Sequence, residues 1–264
     1  METIQLQPLD LALASLLVVA LALTSVRMRL GVAGQIVVAA VRTAIQLSLI
    51  GFVLKILFGG VHPIWLVLVA MVMMGVAARE VMARQQQRYR GWWGIGIGGA
   101  SMFVSSFSVT VLALTVIVQP DPWYAPRYAI PLLGMMTGNT MTGVALGLNH
   151  LTIGARREKS AIEARLALGW RAKDAMAILR REAMRTGLIP MVNSMAAAGL
   201  VSLPGMMTGQ ILAGNPPTEA VKYQILIMFL IASGTGFGVL TAVSIGSRRL
   251  FDERERLRLD RLSA

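Results

Sequence analysis

Long apolar segments recur along the whole chain, and they constrain the fold more than any other feature of the sequence. A helix needs about 20 mostly apolar residues to cross the hydrocarbon core of a bilayer. Seven segments approach or exceed that length, at residues 9–26, 34–58, 63–78, 92–118, 128–151, 187–212 and 220–246. The sequence therefore predicts an all-α integral membrane protein with about seven transmembrane helices.

The composition supports a membrane protein and excludes several other classes. Only 14% of the 264 residues are charged and 55% are hydrophobic, whereas soluble domains carry about 25% charged residues. The chain has no cysteine, which excludes a disulfide scaffold, thiolate metal sites and thiol catalysis. We expect a transmembrane permease domain over residues 1–246 and a charged cytoplasmic tail over residues 247–264.

The basic residues predict the orientation of the helices. Of the 25 Lys and Arg residues, 21 lie in four segments, at 27–29, 79–90, 155–186 and from 247 onward. These segments fall on alternate connections between the seven predicted helices, and cytoplasmic loops collect Lys and Arg. We therefore expect the N-terminus outside and the C-terminus in the cytoplasm. The net charge of +12 then reflects topology in a lipid bilayer, and no nucleic acid partner is expected.

The longest polar connection, residues 155–186, has a helical composition with a break at Gly169. Ser160 followed by Glu163 predicts a capping box at a helix start, and Gly169 predicts the end of that helix. A helix, a glycine and a second helix between two spans form a docking shape. The alternative is an amphipathic helix that lies on anionic lipid.

This segment resembles a motif of ABC-transporter permeases. The sequence EARLALG at 163–169 is similar to their EAA loop, although Glu182 stands where importers usually have proline. The resemblance implies that Glu163, Ala164, Leu168 and Gly169 form a coupling helix. That helix would dock into a separate ATP-binding protein, which would carry the ATP and Mg²⁺, so that this chain would bind no cofactor itself.

Further stretches identify the chain as similar to the iron-export ABC permeases of the FetB type, which are related to plant aluminium-tolerance half-transporters. The stretches are RTAIQL (42–47), REVMARQQ (79–86), GNTMTG (138–143), PMVNSM (190–195), GLVSLPGMMTGQ (199–210) and AVKYQ (220–224). The resemblance implies a permease subunit in the plasma (inner) membrane that exports iron or a related metal species. Because a transporter needs two coupling helices for its two ATPases, a second copy of the chain is also expected.

An internal repeat marks the predicted translocation pathway. Residues 131–143 and 202–214 are identical at seven of thirteen aligned positions. Small and polar residues in such segments either pack helices closely or hydrogen-bond across them, so the repeat has both a packing and a pathway interpretation. The pathway candidates are Thr137, Asn139, Asn193, Thr208 and Gln210. Metal contact by Met135, Met136, Met206 and Met207 is a weaker hypothesis, because thioethers favour Cu(I) over iron.

Two polar residues interrupt the second apolar segment. Arg42 is costly in the middle of a bilayer, by about 2.5 to 3.5 kcal/mol on insertion scales, so it should face protein or water. Together with Gln46 it is a further pathway candidate, where it would attract an anionic substrate or metal chelate. The alternative is a structural contact with carbonyls or an acidic partner, or a shallow position at the interface.

Missing motifs argue against enzymatic chemistry in this chain. The sequence has no phosphate-binding G-x-x-x-x-G-K-[ST] loop, and it shows no paired carboxylates or nucleophile–base set of the kind that catalysis needs. We therefore expect a transporter subunit that is not itself an enzyme. The alternative function is an ion-coupled secondary transporter of a small solute or metal chelate. The transported species, its chelation and the direction of transport stay open at this point.

Overall fold

The computed structural model describes residues 7–57 and 63–263, and nearly all of its regular structure is helical. The helices are α1 Pro8–Arg27, α2 Ala33–Leu57, α3 Pro63–Ala83, α4 Trp93–Met102, α5 Ser108–Leu112, α6 Pro126–Arg157, α7 Lys159–Ala167, α8 Ala172–Ala175, α9 Ala177–Ala197, α10 Gly205–Leu212 and α11 Pro217–Arg249. Two short strands, β1 Arg88–Tyr89 and β2 Leu262–Ser263, form an antiparallel pair. The prediction of an all-α fold is therefore confirmed.

Two units account for the chain, and the first contains α1 and α2. Pro8 begins α1 at a position where its missing N–H is not needed. The Asp10 carboxylate accepts a hydrogen bond from the Gln7 N–H at 2.8 Å, next to the start of that helix. Most side chains of both helices are apolar and exposed, which is the pattern of helices that face lipid.

The second unit contains the remaining helices, packed around α6, α9 and α11. Glycines set the distance between these helices. A Cβ atom added to Gly187 of α9 would lie 2.7 Å from the Gly143 carbonyl oxygen of α6, and one added to Gly143 would lie 2.8 Å from the Gly187 oxygen. Such close backbone approach is how membrane helices associate without a hydrophobic driving force.

The fourth predicted span is a single helix with two irregular stretches. Between α4 and α5 the backbone is π-helical over Phe103–Phe107, and it is π-helical again over Ala113–Val118. Hydroxyl groups bond to carbonyls along this helix: Ser105 donates to Ser101 at 2.6 Å and Thr110 donates to Ser106 at 2.6 Å. Side-chain bonds of this kind satisfy backbone groups that a π-helical stretch would otherwise expose in a membrane.

Five helices of the described residues are long and apolar enough to cross a membrane. They are Pro8–Arg27, Ala33–Leu57, Pro63–Ala83, Trp93–Val118 and Pro217–Arg249. They coincide with the first four and the last of the predicted spans, except that residue 58 lies outside the described residues. The predicted span 128–151 lies within α6, a continuous helix of 32 residues.

The predicted sixth span, residues 187–212, is not one helix. The α9 helix ends at Ala197 and α10 begins only at Gly205. Between them the chain turns, with Gly199 in the left-handed region at φ +85° and a bridge between Ala198 and Ser202. Proline lacks the N–H that helix continuation needs, and Pro204 stands directly before α10.

The charged tail is folded onto its own unit. The α11 helix continues past the predicted domain boundary to Arg249, and Leu250 after it is fully buried. At the far end, Leu262 is 1% exposed and pairs with Tyr89 across the β1–β2 ladder. The tail is therefore folded against the second unit. The charge of the tail alone did not predict this folding.

Candidate functional site

The predicted coupling helix is present as α7, although it begins differently from the prediction. Its first residue is Lys159, its N-cap is Glu158, and no side chain caps it. The capping box of Ser160 and Glu163 is therefore wrong. The Glu158 N–H bonds to the Gly154 carbonyl of α6 at 2.8 Å, so Glu158 is the C-cap of α6 as well as the N-cap of α7. Ser160 therefore lies inside α7, not at its start. The Glu163 carboxylate instead lies 3.7 Å from the Lys159 ammonium.

Gly169 ends α7 as predicted. Its φ of +85° lies in the left-handed region, which glycine adopts without steric cost. The Gly169 N–H bonds to the Leu166 carbonyl at 2.9 Å, and the Trp170 N–H bonds to the Arg165 carbonyl at 3.1 Å. This pair of bonds is the Schellman motif, and it turns the chain sharply towards α8.

The two faces of α7 have different environments. Ile162 is fully buried in the core cluster of the second unit, and Leu166 packs against the same cluster. On the other side, Leu168 is 79% exposed and Trp170 is 51% exposed. We define the α7 surface by its exposed residues, Glu163, Ala164, Ala167, Leu168, Gly169 and Trp170. Exposed apolar side chains that are grouped beside polar ones mark an interaction site.

The tail extends this surface. The Glu255 carboxylate accepts a hydrogen bond from the Ala172 N–H at 3.2 Å, so the tail contacts the chain just after the Gly169 turn. A cleft of about 700 Å³ lies between the two segments, and its lining residues are Glu163, Leu166, Gly169, Trp170, Arg254, Glu255, Arg256, Leu257 and Arg258. Sequence reasoning missed the tail residues, although the leucines at 257, 259 and 262 were a signal of burial within the charges.

Internal ion pairs organise the tail. The backbone N–H of Arg256, together with that residue's guanidinium, donates to the Asp252 carboxyl and lowers its pKa. A bidentate contact from the Arg258 guanidinium, at 2.9 and 2.8 Å, lowers the pKa of Asp260 to about 2. Each carboxylate stabilises the folded tail when the pH is above the ordinary pKa of that group. This stabilisation is lost as the pH falls from the ordinary pKa through the lowered one.

Replacing Arg261 with alanine should release the tail. The Arg261 guanidinium donates to the carbonyls of Arg249 and Phe251 at 2.7 and 2.8 Å, and both bonds are partly buried. Hydrogen bonds from a charged group are stronger than neutral ones, so we expect chymotrypsin to cleave after Phe251 about tenfold faster. Arg254→Ala is the matched control, because that side chain is exposed. Equal cleavage rates in both variants would contradict the anchoring role of Arg261.

A second candidate site lies near the N-terminal ends of α6 and α11, away from α7 and the tail. Both helices run from this end to the α7 and tail end, and 32 residues of α6 span about 48 Å at 1.5 Å per residue. A cavity of about 460 Å³ is present here, which we call the α6–α11 cavity. Its lining residues are Leu114, Val118, Arg127, Tyr128, Pro131, Leu132, Met135, Met206, Gln210, Asn215, Tyr223, Leu226, Ile227 and Leu230.

Three predicted pathway or metal candidates meet in this cavity, namely Met135, Met206 and Gln210. The two methionines occupy matching positions of the internal repeat, so both copies of the repeat contribute to one site. The Gln210 Oε1 atom is buried and has no hydrogen-bond partner in the described part of the chain.

The other candidates of the second unit lie elsewhere. Thr137 and Met136 are buried, and Met136 packs against the Gly234 position of α11. Asn139 is exposed on α6, where its Nδ2 donates to the Met135 carbonyl at 2.8 Å. Asn193 is exposed on α9.

The remaining candidates are placed on three helices. Thr208 and Met207 are half-buried on α10, and the Thr208 hydroxyl bonds to the Pro204 carbonyl at 3.3 Å. Arg42 and Gln46 are exposed on α2 in the first unit. Within residues 7–57 and 63–263, no group of three or more His, Asp or Glu residues could hold a metal ion.

Comparison with known proteins identifies the family. Residues 8–251 match UPF0014, which is described as an uncharacterised protein family. The chain belongs to this family. No solved structure matches the chain.

The UPF0014 relatives include proteins from bacteria and a plant. The probable iron export permease protein FetB of Escherichia coli is 35% identical over 253 residues, which cover 94% of this chain and 93% of FetB. The UPF0014 membrane protein YjkA of Bacillus subtilis is 35% identical over 84% of this chain and 86% of its own length. Protein ALUMINUM SENSITIVE 3 of Arabidopsis thaliana is 32% identical, over 87% and 82%. The expected family is therefore confirmed, and this UPF0014 chain is a multi-pass membrane protein.

Proposed function

We propose that this chain is the membrane-spanning permease subunit of an ABC transporter, which exports iron or a related metal species. The observation that carries the proposal is the α7 surface, a short helix with exposed apolar residues after a buried face, ended by a left-handed glycine. The similarity to FetB, which is named as a probable iron export permease, supports the substrate.

The proposed partner is a separate ATP-binding protein that docks on the α7 surface. The four residues that the sequence resemblance selected for coupling, Glu163, Ala164, Leu168 and Gly169, are all exposed there. ATP and Mg²⁺ would bind to the partner, because this sequence has no phosphate-binding loop with the required lysine. The chain itself would act as a transporter subunit, not as an enzyme.

The alternative is an ion-coupled secondary transporter, which the break between α9 and α10 favours. Discontinuous helices often bind substrates and coupling ions in such transporters. However, in the part of the chain that the structure describes, the acidic residues of the five apolar helices lie only at helix ends. They are Asp10, Glu80 and Glu219. Mid-membrane carboxylates for ion coupling are missing from these helices, so the ABC permease is the better supported function.

Transport in inside-out membrane vesicles tests the two functions. We expect vesicles with this chain and its ATP-binding partner to accumulate ⁵⁵Fe when ATP is supplied. A partner without its phosphate-binding lysine should abolish the accumulation, and a protonophore should leave it unchanged. Accumulation that ignores ATP and disappears with the protonophore would support the secondary transporter instead.

We further propose that a second copy of the chain covers the α9–α10 turn. Leu200, Val201 and Leu203 are 92%, 85% and 61% exposed in this turn. Irregular backbone at membrane depth is tolerated only where protein or a water-filled cavity covers it. The complex would then contain two permeases and two ATP-binding proteins.

Cysteine cross-linking tests the proposed interface, because the native chain has no cysteine. We expect Val201→Cys to form a disulfide-linked dimer in oxidised membranes with a yield of well over half. Val67→Cys, at a 59% exposed position of α3, is the control and should stay largely monomeric. Equal yields at both positions, or a native mass with one permease per complex, would contradict the proposal.

We also propose the orientation that the basic residues predict, in the plasma (inner) membrane with the N-terminus outside and the C-terminus in the cytoplasm. A membrane-impermeant maleimide added to intact cells should then label Pro122→Cys strongly and Leu168→Cys hardly at all. Both positions are exposed in the structure, so a difference in labelling reports which side of the membrane each position faces. The reverse pattern would overturn the orientation.

A further inference from the structure

The side chains that line the α6–α11 cavity are positively charged or neutral, which is unusual for a site that binds a metal ion. It contains one cation, Arg127, two phenols, Tyr128 and Tyr223, and two amides, Gln210 and Asn215. The remaining lining residues are aliphatic, proline or methionine. Among the described residues that line the cavity there is no carboxylate and no imidazole, although these are the protein groups that bind iron best apart from thiolates.

Arg127 is available to an anion in this cavity. In the described residues, no carboxylate lies within ion-pair distance of its guanidinium. The nearby Lys222 differs, because its ammonium lies 2.7 Å from the Glu219 carboxylate. An arginine binds a carboxylate or a similar planar anion with two parallel hydrogen bonds, which gives both affinity and orientation.

Gln210 adds an unused acceptor. Its buried Oε1 atom has no partner among the residues that the structure describes, whereas buried polar atoms are nearly always hydrogen-bonded in folded proteins. A hydroxyl or amide group of a ligand in the cavity would supply the missing donor.

The apolar wall determines what else the ligand must have. Leu114 and Val118 come from the second π-helical stretch, and Leu226, Ile227 and Leu230 come from α11. Single π-helical turns are rare and frequently occur at functional sites. A volume of about 460 Å³ suits a small organic molecule, and a hydrated ion would gain nothing from apolar walls.

We propose that the α6–α11 cavity binds the metal as an anionic, partly apolar organic chelate, not as a bare ion. Arg127 binds the acidic edge of the chelate, Gln210 and the two tyrosines bind its polar groups, and the aliphatic wall contacts its organic part. The chelator supplies the hard ligands that the cavity lacks. This inference rests on the proposed function and specifies the substrate class of the same transporter.

Equilibrium binding without ATP tests the inference on the purified permease–ATPase complex in lipid nanodiscs. The two probes are ⁵⁵Fe(III) complexed by 2,3-dihydroxybenzoate, which is anionic and aromatic, and ⁵⁵Fe(II) chloride under anaerobic conditions. We expect the complex to bind the dihydroxybenzoate chelate more tightly than Fe(II). Arg127→Gln should weaken binding of the chelate by about tenfold or more, because one charge-assisted contact is lost. Arg127→Lys should retain part of the affinity, and the control Lys222→Gln should retain all of it.

The outcomes separate this inference from the proposed function. Tighter binding of Fe(II) than of the chelate, no binding of either probe, or equal effects of Arg127→Gln and Lys222→Gln would overturn the chelate site. Each of these results leaves ATP-driven export in vesicles untouched. Failure of that export in the vesicle assay would instead remove the proposed function, whatever the nanodiscs bind.

Discussion

Replacing Gly169 with tryptophan is expected to weaken binding of the ATP-binding protein about thirtyfold while the membrane helices stay folded. A Cβ atom at Gly169 would meet nothing within 4 Å, so the new ring would project from the α7 surface, and the φ of +85° adds about 1 to 2 kcal/mol of backbone strain at the turn that ends α7. Steric overlap at the centre of a packed interface costs about 2 kcal/mol. Titration of a labelled partner against the immobilised permease measures the loss.

Two further variants sharpen the Gly169 experiment. Asparagine tolerates the left-handed backbone that the φ of +85° requires, so Gly169→Asn should keep most of the binding. Asn139→Ala alters a side chain on α6, away from the α7 surface, and should keep docking while it changes transport. Unchanged partner binding by a well-folded Gly169→Trp variant would remove the coupling role of α7.

Replacing Gly187 with alanine is expected to cause a large loss of stability from a single methyl group. The added Cβ would lie 2.7 Å from the Gly143 carbonyl oxygen and 2.8 Å from a methyl carbon of Val239. Helices α6, α9 and α11 would have to separate, and overpacking of this kind costs about 1 to 3 kcal/mol. Thermal unfolding of the purified protein in detergent measures the change.

Gly236→Ala is the matched control for the packing prediction. Gly236 lies in α11, and its Cβ would have no atom within 4 Å. Alanine is favoured over glycine inside a helix by up to about 1 kcal/mol, so this variant should be as stable as the native protein or more stable. Similar melting temperatures for Gly187→Ala and Gly236→Ala would show that the close helix approach contributes little.

The apolar segments predicted the membrane helices well because length and composition decide whether a helix can span a bilayer. They could not predict whether each segment forms one continuous helix. The segment 187–212 is mostly apolar and has no charged residue, yet Gly199 and Pro204 interrupt it. Hydropathy reports how a segment partitions into lipid, whereas the break depends on which backbone groups find partners.

The two candidate sites differ in how far local sequence could reveal them. The Gly169 turn is a local motif, so sequence reasoning found it. The folding of the tail depends on pairing of Leu262 with Tyr89, far apart along the chain. The pathway candidates depend on helix rotation: Met135 lines the cavity, while Met136 and Thr137 beside it are buried.

The glycine contact between α6 and α9 has a mechanical consequence. Gly143 lies near the midpoint of α6, between the cavity at one end and α7 at the other. A rigid rod held at its centre acts as a lever, so an inward push at one end swings the other end outward. When the ATP-binding partner pushes the α7 end of α6 inward, α6 would pivot about the glycine contact. Its other end would then move outward and open the cavity. Spin-label distances measured between α6 and α9 on the two sides of this contact should then change with opposite sign.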